Sequence, residues 1–344
     1  MRTSHSLSED FLHLPSEERK EVYDSLSSEI GLPPEILEKD VWICWALEVL
    51  FSDPAHLPMA FKGGTSLSKV YRAISRFSED IDLTVAVPSA DFSDGKLPTT
   101  RGKIDKLRAV LSGELADYLR GHVAPLLYTA VLAFPDAPVD VVLMEADGET
   151  IVLDYPSCYE KSGGYLRERV KLEFGARNIL EPNERHDLVP FLRPFLRAET
   201  ALPTATVDVL SAKRTFWEKA TLAHDACGRD EWRGGIERLS RHWYDLGILA
   251  DHAIGTEALA DRSLLADVVR IKTVFFKNST SDYAACLTGG IRILPGPGGL
   301  VDLERDYNAM TNAGMFSEDP PTFELLVERL ARLENEINRQ EPSE

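Results

Sequence analysis

The stretch "FKGGTSLSKVYRAISRFSEDIDLTV", Phe61 to Val85, joins a glycine turn to a strand that carries two carboxylates. Gly63 and Gly64 lack side chains, so the backbone can bend sharply there and a phosphate can approach main-chain N–H groups. A helix beginning at about Ser66 would direct its positive end at that phosphate, and Thr65 and Ser66 would offer hydroxyl donors. The turn therefore predicts a phosphate site, although two glycines before Thr-Ser are also an ordinary helix start.

The two carboxylates belong to Asp80 and Asp82 in "SEDIDLTV". Alternate residues of a strand share a face, so both aspartates point one way while Ile81 and Leu83 point into the core. They would then lie roughly 6.5 to 7 Å apart along the strand, at about 3.3 Å per residue. That spacing suits one or two Mg²⁺ ions. Alone, the pair is compatible with a solvent-facing strand end. Because it follows the glycine turn after one short helix, the combination favours an active site.

A third carboxylate is expected from a neighbouring strand. In "RVKLEFGA" the apolar residues alternate with polar ones, which leaves Glu173 on the polar side as the candidate. Asp140 in "PVDVVLM" and Asp154 in "VLDYP" are the alternatives, and each is also an ordinary polar-face residue.

Composition limits the classes of protein. The 344 residues are 44% hydrophobic, which is enough for a sizeable core and two subdomains. The formal charge of −18 argues against nonspecific coating of nucleic acid, so any such contact must be local. Candidate cationic segments are "LRERVKLEFGARN" from Leu166, "AKRTFWEK" from Ala212 and the arginines between Arg229 and Arg241. The alternative is that acids nearby balance these charges on solvated faces.

Cysteine usage and hydropathy indicate the compartment. The four cysteines are far apart and form no Cys-x-x-Cys or Cys/His pattern, so neither a zinc site nor a disulfide framework is predicted. The polar N-terminus is unlike a signal peptide, and no apolar run is long enough to span a bilayer. We expect a soluble, cytoplasmic protein.

The predicted elements divide the chain into three parts. Residues 1–58 read as a helical segment, 59–200 as an α/β core with short strands around one helix, and 201–344 as a helical C-terminal domain. Within them, "LEPNERHDLVPFLRPFLRAETALPT" reads as a connecting segment or arm, and "IRIL" as a short strand. The fold class expected from this pattern is α+β.

These motifs resemble a known family. "KGGTSLSKVY" followed by "RFSEDIDL" is similar to the AbiEii/AbiGii toxin family of the DNA polymerase β-type nucleotidyltransferase superfamily, whose pattern is a glycine turn, a helix and Asp-x-Asp. The likeness extends to "LEKDVWICWALEVL" upstream and, downstream, to "AKRTFWEKATLAH", "RHWYDL", "LERDYNAM" and "PPTFELLVERL". The resemblance implies a polymerase β-type core, a small mixed sheet flanked by helices, followed by a helical domain.

The resemblance also implies roles for individual residues. Asp80 and Asp82 would bind metal, Lys213 would contact the triphosphate, and Asp245 would be a further active-site residue. Two positions depart from the family pattern: His242 stands where members often have Asp, and Lys219 competes with Lys213 for the lysine role. Further candidates for neutralising phosphate charge come from the residues themselves, Lys62 beside the turn and Arg76.

The function expected is nucleotide transfer by a toxin of a toxin–antitoxin or phage-defence pair. The substrates implied are an NTP, with Mg²⁺ or Mn²⁺, and an RNA acceptor, the 3′ end of tRNA, and a cognate antitoxin is the expected protein partner. Two alternatives stay open. In the first, the acceptor is a small molecule or a protein hydroxyl. In the second, the chain is a non-catalytic module that binds nucleotide or antitoxin.

Overall fold

A seven-stranded mixed sheet forms the centre of the protein, in the order β3-β4-β5-β2-β1-β7-β6. The computed structural model describes residues 10–93, 95–134, 137, 141–159, 169–228, 238–278 and 280–339. Parallel pairs join β2 to β5 and β1 to β7, and the other neighbours are antiparallel. The strands are β1 (Met59–Lys62), β2 (Asp80–Val85), β3 (Val142–Met144), β4 (Thr150–Leu153), β5 (Val170–Gly175), β6 (Asn183–Leu188) and β7 (Ala205–Leu210).

Helices flank the sheet and follow it, which confirms the α+β class. Near the N-terminus lie α1 (Ser16–Ile30) and α2 (Pro34–Ser52), and a short α3 (Gly63–Lys69) links β1 to β2. A long helical stretch before β3 consists of α4 (Arg101–Tyr118), a π-helical turn (Leu119–Val123) and α5 (Ala124–Val131). After β7 come α6 (Ala212–Cys227), α7 (Ser240–Ala250), α8 (Ala253–Ala260), α9 (Arg262–Phe275), α10 (Pro297–Asn312) and α11 (Phe323–Arg339).

The central strands form because their apolar residues alternate. Ile81, Leu83 and Val85 of β2 are buried, as are Val170 and Leu172 of β5. Each strand therefore presents one face to the core and leaves its polar residues on the other face. The register between the two strands consequently decides which polar side chains meet.

Three consecutive charged residues of α2 are buried, and each binds a different part of the chain. Glu38 accepts hydrogen bonds from the Ser157 hydroxyl at 2.6 Å and the Cys158 N–H at 2.7 Å. Lys39 forms an ion pair with Glu79 at 2.7 Å, next to the first aspartate of β2. Asp40 pairs with Lys69 at the end of α3 and accepts the Phe191 N–H. The charged start of α2 is thus a structural brace, since buried charges need partners.

Parts of the sequence prediction were wrong. The segment read as a connecting arm contains β6, and β7 follows it at the start of the part that was expected to be a helical domain. The polar outer residues of β6 suit an edge strand, and they hide its alternation in the sequence. Residues 291–294 form no strand, and α3 begins at Gly63 rather than Ser66. The predicted division at residue 200 stays a prediction, although β7, beyond it, belongs to the sheet. No helix in the described part of the chain is long and apolar enough to cross a membrane.

Candidate active site

Two pairs of charged side chains meet where β2 runs beside β5, one acidic and one of opposite charges. Asp82 lies next to Glu173 in the register, and Asp80 next to Lys171. On the other side of β2, Lys62 of β1 is the register partner of Asp82. Because partners in adjacent strands project from the same face, these five side chains form one polar strip across the sheet.

The two aspartates of the strip have different electrostatic surroundings. Burial disfavours the charge of Asp80, but Arg241 of α7 outweighs it with an ion pair of 2.9 Å and holds the pKa of Asp80 below its usual range. Burial and the charge of Glu173 raise the pKa of Asp82 to about 6. Among the described residues, no hydrogen bond or ion pair engages the Asp82 carboxylate. Burial and Glu173 thus oppose the charge of Asp82, and the nearby cations Lys62 and Arg241 favour it without pairing with it directly.

The glycine turn packs directly against these carboxylates. Gly63 has a φ of +81°, and a Cβ there would lie 2.1 Å from Oδ2 of Asp82. A Cβ on Gly64 would lie 2.5 Å from an Arg76 nitrogen and 2.8 Å from the Ser78 hydroxyl. Both positions therefore require glycine, one for its backbone conformation and both for space.

Thr65 and Ser66 have a different place from the one their motif suggested. Both are fully buried, and neither lines the cavity next to the turn. Thr65 donates its hydroxyl hydrogen bond to the backbone carbonyl of Asp80, and Ser66 donates to that of Gly63 at 3.0 Å. Their hydroxyls thus brace the turn and β2 from behind instead of facing a ligand.

A cavity of about 460 Å³ opens over the strip. One end is polar: Gly63 and Gly64, the carboxylates of Asp80, Asp82 and Glu173, and the cations Lys62, Arg76, Lys219 and Arg241. The other end combines apolar residues with the charged side chains of Asp225 and Lys272; the apolar ones are Leu222 of α6, Val268 and Ile271 of α9, and then Phe276 and Tyr283. The cavity therefore offers mainly charge at one end and a mixture of apolar surface and charge at the other.

Asp245 lies behind the cavity wall and is completely buried. Arg76 donates two hydrogen bonds of 2.7 Å to its carboxylate, and Lys219 forms an ion pair with it at 2.8 Å. Burial opposes its charge, but Arg76 and Lys219 outweigh that and lower the pKa of Asp245. Asp245 does not itself line the cavity. It positions Arg76 and Lys219, which do line the cavity.

His242 extends this network toward the cavity, with its Nδ1 3.3 Å from the Lys219 ammonium. Burial and the charges of Lys219 and Arg241 lower the pKa of His242 well below its ordinary value. A neutral imidazole therefore stands where the family often has a carboxylate.

The lysine helix places Lys219, not Lys213, at the cavity. Lys213 is half-buried and is not among the lining residues. Six residues along a helix of 3.6 per turn separate the two lysines by roughly 240°, so the two cannot share one face. Next to Lys219, Glu218 lines the cavity and accepts a hydrogen bond of 2.6 Å from Asn178. Burial opposes its charge, but Lys62 and Arg214 lower the pKa of Glu218 to about 2.

Sequence reasoning did not find Glu218, Arg241 or Lys272 as site residues. Burial lowers the pKa of the Lys272 ammonium to about 8, and its Nζ donates to the Glu218 carbonyl at 3.4 Å. The position of Arg214 four residues before Glu218 is the spacing of a helical ion pair, and it is the one local signal for this cluster.

The expected third metal ligand, Glu173, stays a prediction. Glu173 lines the cavity, but its carboxylate pairs with Lys171, and the described residues contain no set of three or more His, Cys, Asp or Glu side chains arranged around a metal position. Asp154 lies 3.7 Å from Arg169 and outside this cavity. Asp140 lies outside the described residues.

Comparisons with known proteins were made for the sequence and the fold. No curated protein sequence matches the chain. Among solved structures, MenT4, a nucleotidyltransferase toxin from Mycobacterium tuberculosis H37Rv, is similar at a TM-score of 0.44 and 15% identity, over 93% of this chain and 99% of that one. The family model described as nucleotidyl transferase AbiEii toxin, type IV toxin–antitoxin system, matches residues 45–329. Since that range is most of the chain and includes the glycine turn and both aspartates, the protein belongs to the AbiEii family of nucleotidyltransferase toxins.

Proposed function

We propose that this nucleotidyltransferase toxin uses Mg²⁺ or Mn²⁺ to transfer a nucleotide from an NTP to a hydroxyl at the 3′ end of tRNA. The observation that carries the proposal is that the glycine turn, Asp80 and Asp82 border one cavity together. The sequence separates these groups by a helix, and the antiparallel pairing of β1 with β2 returns them to the same place.

The two ends of the cavity suggest how an NTP lies in it. The triphosphate fits the polar end, where Gly63 and Gly64 expose backbone and Lys62, Arg76 and Lys219 supply positive charge. The base fits the other end, where Phe276 is 44% exposed and its ring centroid lies 5.5 Å from the Lys272 ammonium and 5.9 Å from the Arg177 guanidinium carbon, so a base there would meet aromatic and cationic groups together. This orientation brings the α-phosphate, the one nearest the nucleoside, beside the carboxylates of the polar end.

The residues fit a divalent cation whose coordination is completed by the substrate phosphates. Mg²⁺ is usually bound through one or two carboxylates plus substrate phosphates, not by an all-protein cage. Asp80 and Asp82 supply two carboxylates, and a cation would offset the repulsion from Glu173 that, after burial, contributes to the raised pKa of Asp82. Bound there, the ion would supply polarisation of the α-phosphate and neutralisation of the leaving pyrophosphate.

The chain's own residues then position an in-line displacement. The acceptor oxygen attacks the α-phosphorus and forms a new P–O bond. The bond between the α-phosphorus and the bridging oxygen to the β-phosphate breaks, pyrophosphate leaves with the electron pair, and the hydroxyl proton passes to solvent. Arg76 and Lys219, fixed by Asp245, stabilise the charge that develops on the leaving group.

A labelling experiment tests the proposal. Each of the four NTPs, labelled at the α-phosphate, is incubated with the protein, Mg²⁺ and total tRNA. We expect label in tRNA with the wild type and a loss of roughly a hundredfold or more with Asp82→Asn, since charge neutralisation at the transferred phosphate is the main catalytic contribution. Asp117→Asn, an exposed aspartate of α4, is the matched control and keeps activity.

The outcomes separate the alternatives. Label that survives ribonuclease and appears on a small molecule or protein would assign a different acceptor. No transfer from any NTP, with wild type and Asp82→Asn alike, would contradict the proposed reaction. As a member of a type IV toxin family, the chain is also expected to have an antitoxin partner. The gene next to the one that encodes this protein would be the first candidate.

A further inference from the structure

A second cavity, of about 210 Å³, lies beside the first on the same face of the sheet. It lies over β4 and β5, whereas the first lies over β1 and β2. Asp80, Glu173 and Arg241 line both cavities, so they form the wall between them. A group in the second cavity therefore approaches the same carboxylates from the side of β5.

Cations predominate in this second cavity. Five of its described lining residues are Lys or Arg and four are Asp or Glu, in a chain whose formal charge is −18. Lys39 is buried against Glu79, but the other cations reach the surface: 46% of the side chain of Arg169 is exposed, 32% of Lys171, 25% of Arg241 and 20% of Arg238. Each of the five is paired with a carboxylate, so the cavity is close to neutral and lacks the excess of acid that characterises the whole chain.

These cations come from two of the cationic segments noted in the sequence. Arg169 and Lys171 belong to the segment around β5, and Arg238 and Arg241 to the arginine-rich segment that leads into α7. The fold brings the two segments together next to Asp80. Their charges are therefore concentrated beside Asp80, although nearby acids do balance them, since all four cations form ion pairs there.

We propose that the second cavity binds the phosphodiester backbone of the RNA acceptor strand, with Arg169 and Lys171 as its principal phosphate contacts. This inference rests on the proposed nucleotidyl transfer. In that reaction the acceptor oxygen must attack from the side away from the leaving pyrophosphate. With the triphosphate at the glycine turn over β1, the side of β5 is the one left for the acceptor.

The spacing of the cations fits a strand better than a single small anion. Arg169 and Lys171 are two residues apart along an extended chain, roughly 6.5 to 7 Å at about 3.3 Å per residue. That distance is comparable to the separation of successive phosphates in a nucleic acid strand. Within the described part of the chain, Arg169 makes one long ion pair, with its Nε 3.7 Å from the Asp154 carboxylate, so little energy holds it there.

The test measures RNA binding without NTP, so it does not depend on transfer. A fluorescent oligonucleotide that ends in the tRNA 3′ sequence is titrated with full-length protein. We expect Arg169→Glu to weaken binding about tenfold or more and to lower the slope of log affinity against log salt by about one. Arg169→Lys and Arg120→Glu, the latter an exposed arginine of the π-helical turn, should stay within about twofold of wild type. NTP binding by calorimetry should be unchanged in all three.

RNA affinity of Arg169→Glu equal to that of wild type would overturn the inference, as would a wild type that binds no RNA. Binding of a polyglutamate peptide, but not RNA, in an Arg169-dependent way would also overturn it and indicate an acidic protein partner. Failure of the proposed function appears separately, as wild-type protein that binds the oligonucleotide but transfers no nucleotide to any RNA.

Discussion

At the scale of the residue, the closest constraint is between Gly63 and Asp82. The positive φ of Gly63 lets the chain turn out of β1, and the missing Cβ leaves room for the carboxylate. Asp82 in turn lacks a described hydrogen-bond or ion-pair partner, so its position depends on β2 and on this contact. The turn therefore positions a carboxylate as well as bordering the cavity.

Gly63→Ala should reduce nucleotide transfer more than stability. The added Cβ would overlap Oδ2 of Asp82, and a displacement of about 1 Å at a reacting centre costs on the order of a hundredfold in rate. The positive φ adds a loss of about 1 kcal/mol or more in the free energy of unfolding. Gly95→Ala is the control, because its φ is +78° and its Cβ would meet nothing within 4 Å. It should lose similar stability and keep its activity; full activity in Gly63→Ala would contradict the contact.

Lys272 gives a pH-dependent prediction. The pKa of its ammonium is about 8 in the free protein, and a nearby polyphosphate raises it. The bound state then holds more protons than the free state above pH 8, so NTP affinity falls as the pH rises through that value. Calorimetry at pH 8.5 in two buffers of different ionisation enthalpy should show uptake of up to about 0.8 of a proton, the deprotonated fraction for a pKa of about 8.

The matched variants for this measurement are Lys272→Met and Lys277→Met, the second an exposed lysine just beyond α9. Proton uptake should disappear in the first and persist in the second. Equal uptake in both would show that NTP does not approach Lys272.

The sequence predicted individual site residues unevenly, for physical reasons. That Asp80 and Asp82 share a face follows from the two-residue period of a strand, and Glu173 was found by the same rule. Arg241 was not, because 161 residues separate it from its partner Asp80 and only the tertiary fold joins them. The choice between Lys213 and Lys219 depended on which face of α6 is turned to the sheet, and the apolar residues around both left that undecided.

At the scale of the element, the close approach of α7 to α11 depends on Gly247. A Cβ there would lie 2.4 Å from Cδ1 of Leu326, which is fully buried. The apolar face of α11 was predictable from its spacing, since Leu326, Leu330, Leu333 and Ile337 recur at helical intervals and are all buried. Its partner was not, because a lone glycine within an apolar helix does not indicate which helix lies against it.

Gly247→Ala should lower the free energy of unfolding by about 1–3 kcal/mol, because the extra carbon overpacks the contact with Leu326. Gly113→Ala in α4 is the control: a Cβ there meets nothing within 4 Å, and we expect a gain of about 0.4–1 kcal/mol. Urea unfolding measures both. Two changes of the same sign and size would mean that helix propensity, not packing, controls Gly247.

At the scale of the whole molecule, the sheet and the site both join distant parts of the chain. β7 pairs with β1 at Phe61 and Val209 and along its whole length with β6. The cavity likewise takes its polar end from the sheet and its other end from α6, α9 and the residues after them. Neither feature is visible in a division of the sequence by local pattern, because local pattern carries no information on long-range pairing.

A chain that ends at residue 200 should therefore fail to fold. It lacks β7, so β1 loses its parallel neighbour and β6 loses all six of its register partners. We expect no cooperative unfolding transition by circular dichroism, whereas a chain that ends at residue 339, after α11, should retain one. A cooperative transition in the shorter chain would show that residues 1–200 are an independent folding unit.

The three buried charges at the start of α2 have a consequence for how this chain tolerates changes in length. Each of Glu38, Lys39 and Asp40 reaches a different segment, so a point substitution removes one attachment and leaves two. Insertion of a single residue just before them turns the helix by about 100° and misaligns all three together. Insertions or deletions in this turn of α2 should thus be far more damaging than single substitutions. The spacing of these three residues therefore fixes how the N-terminal helices align with the sheet.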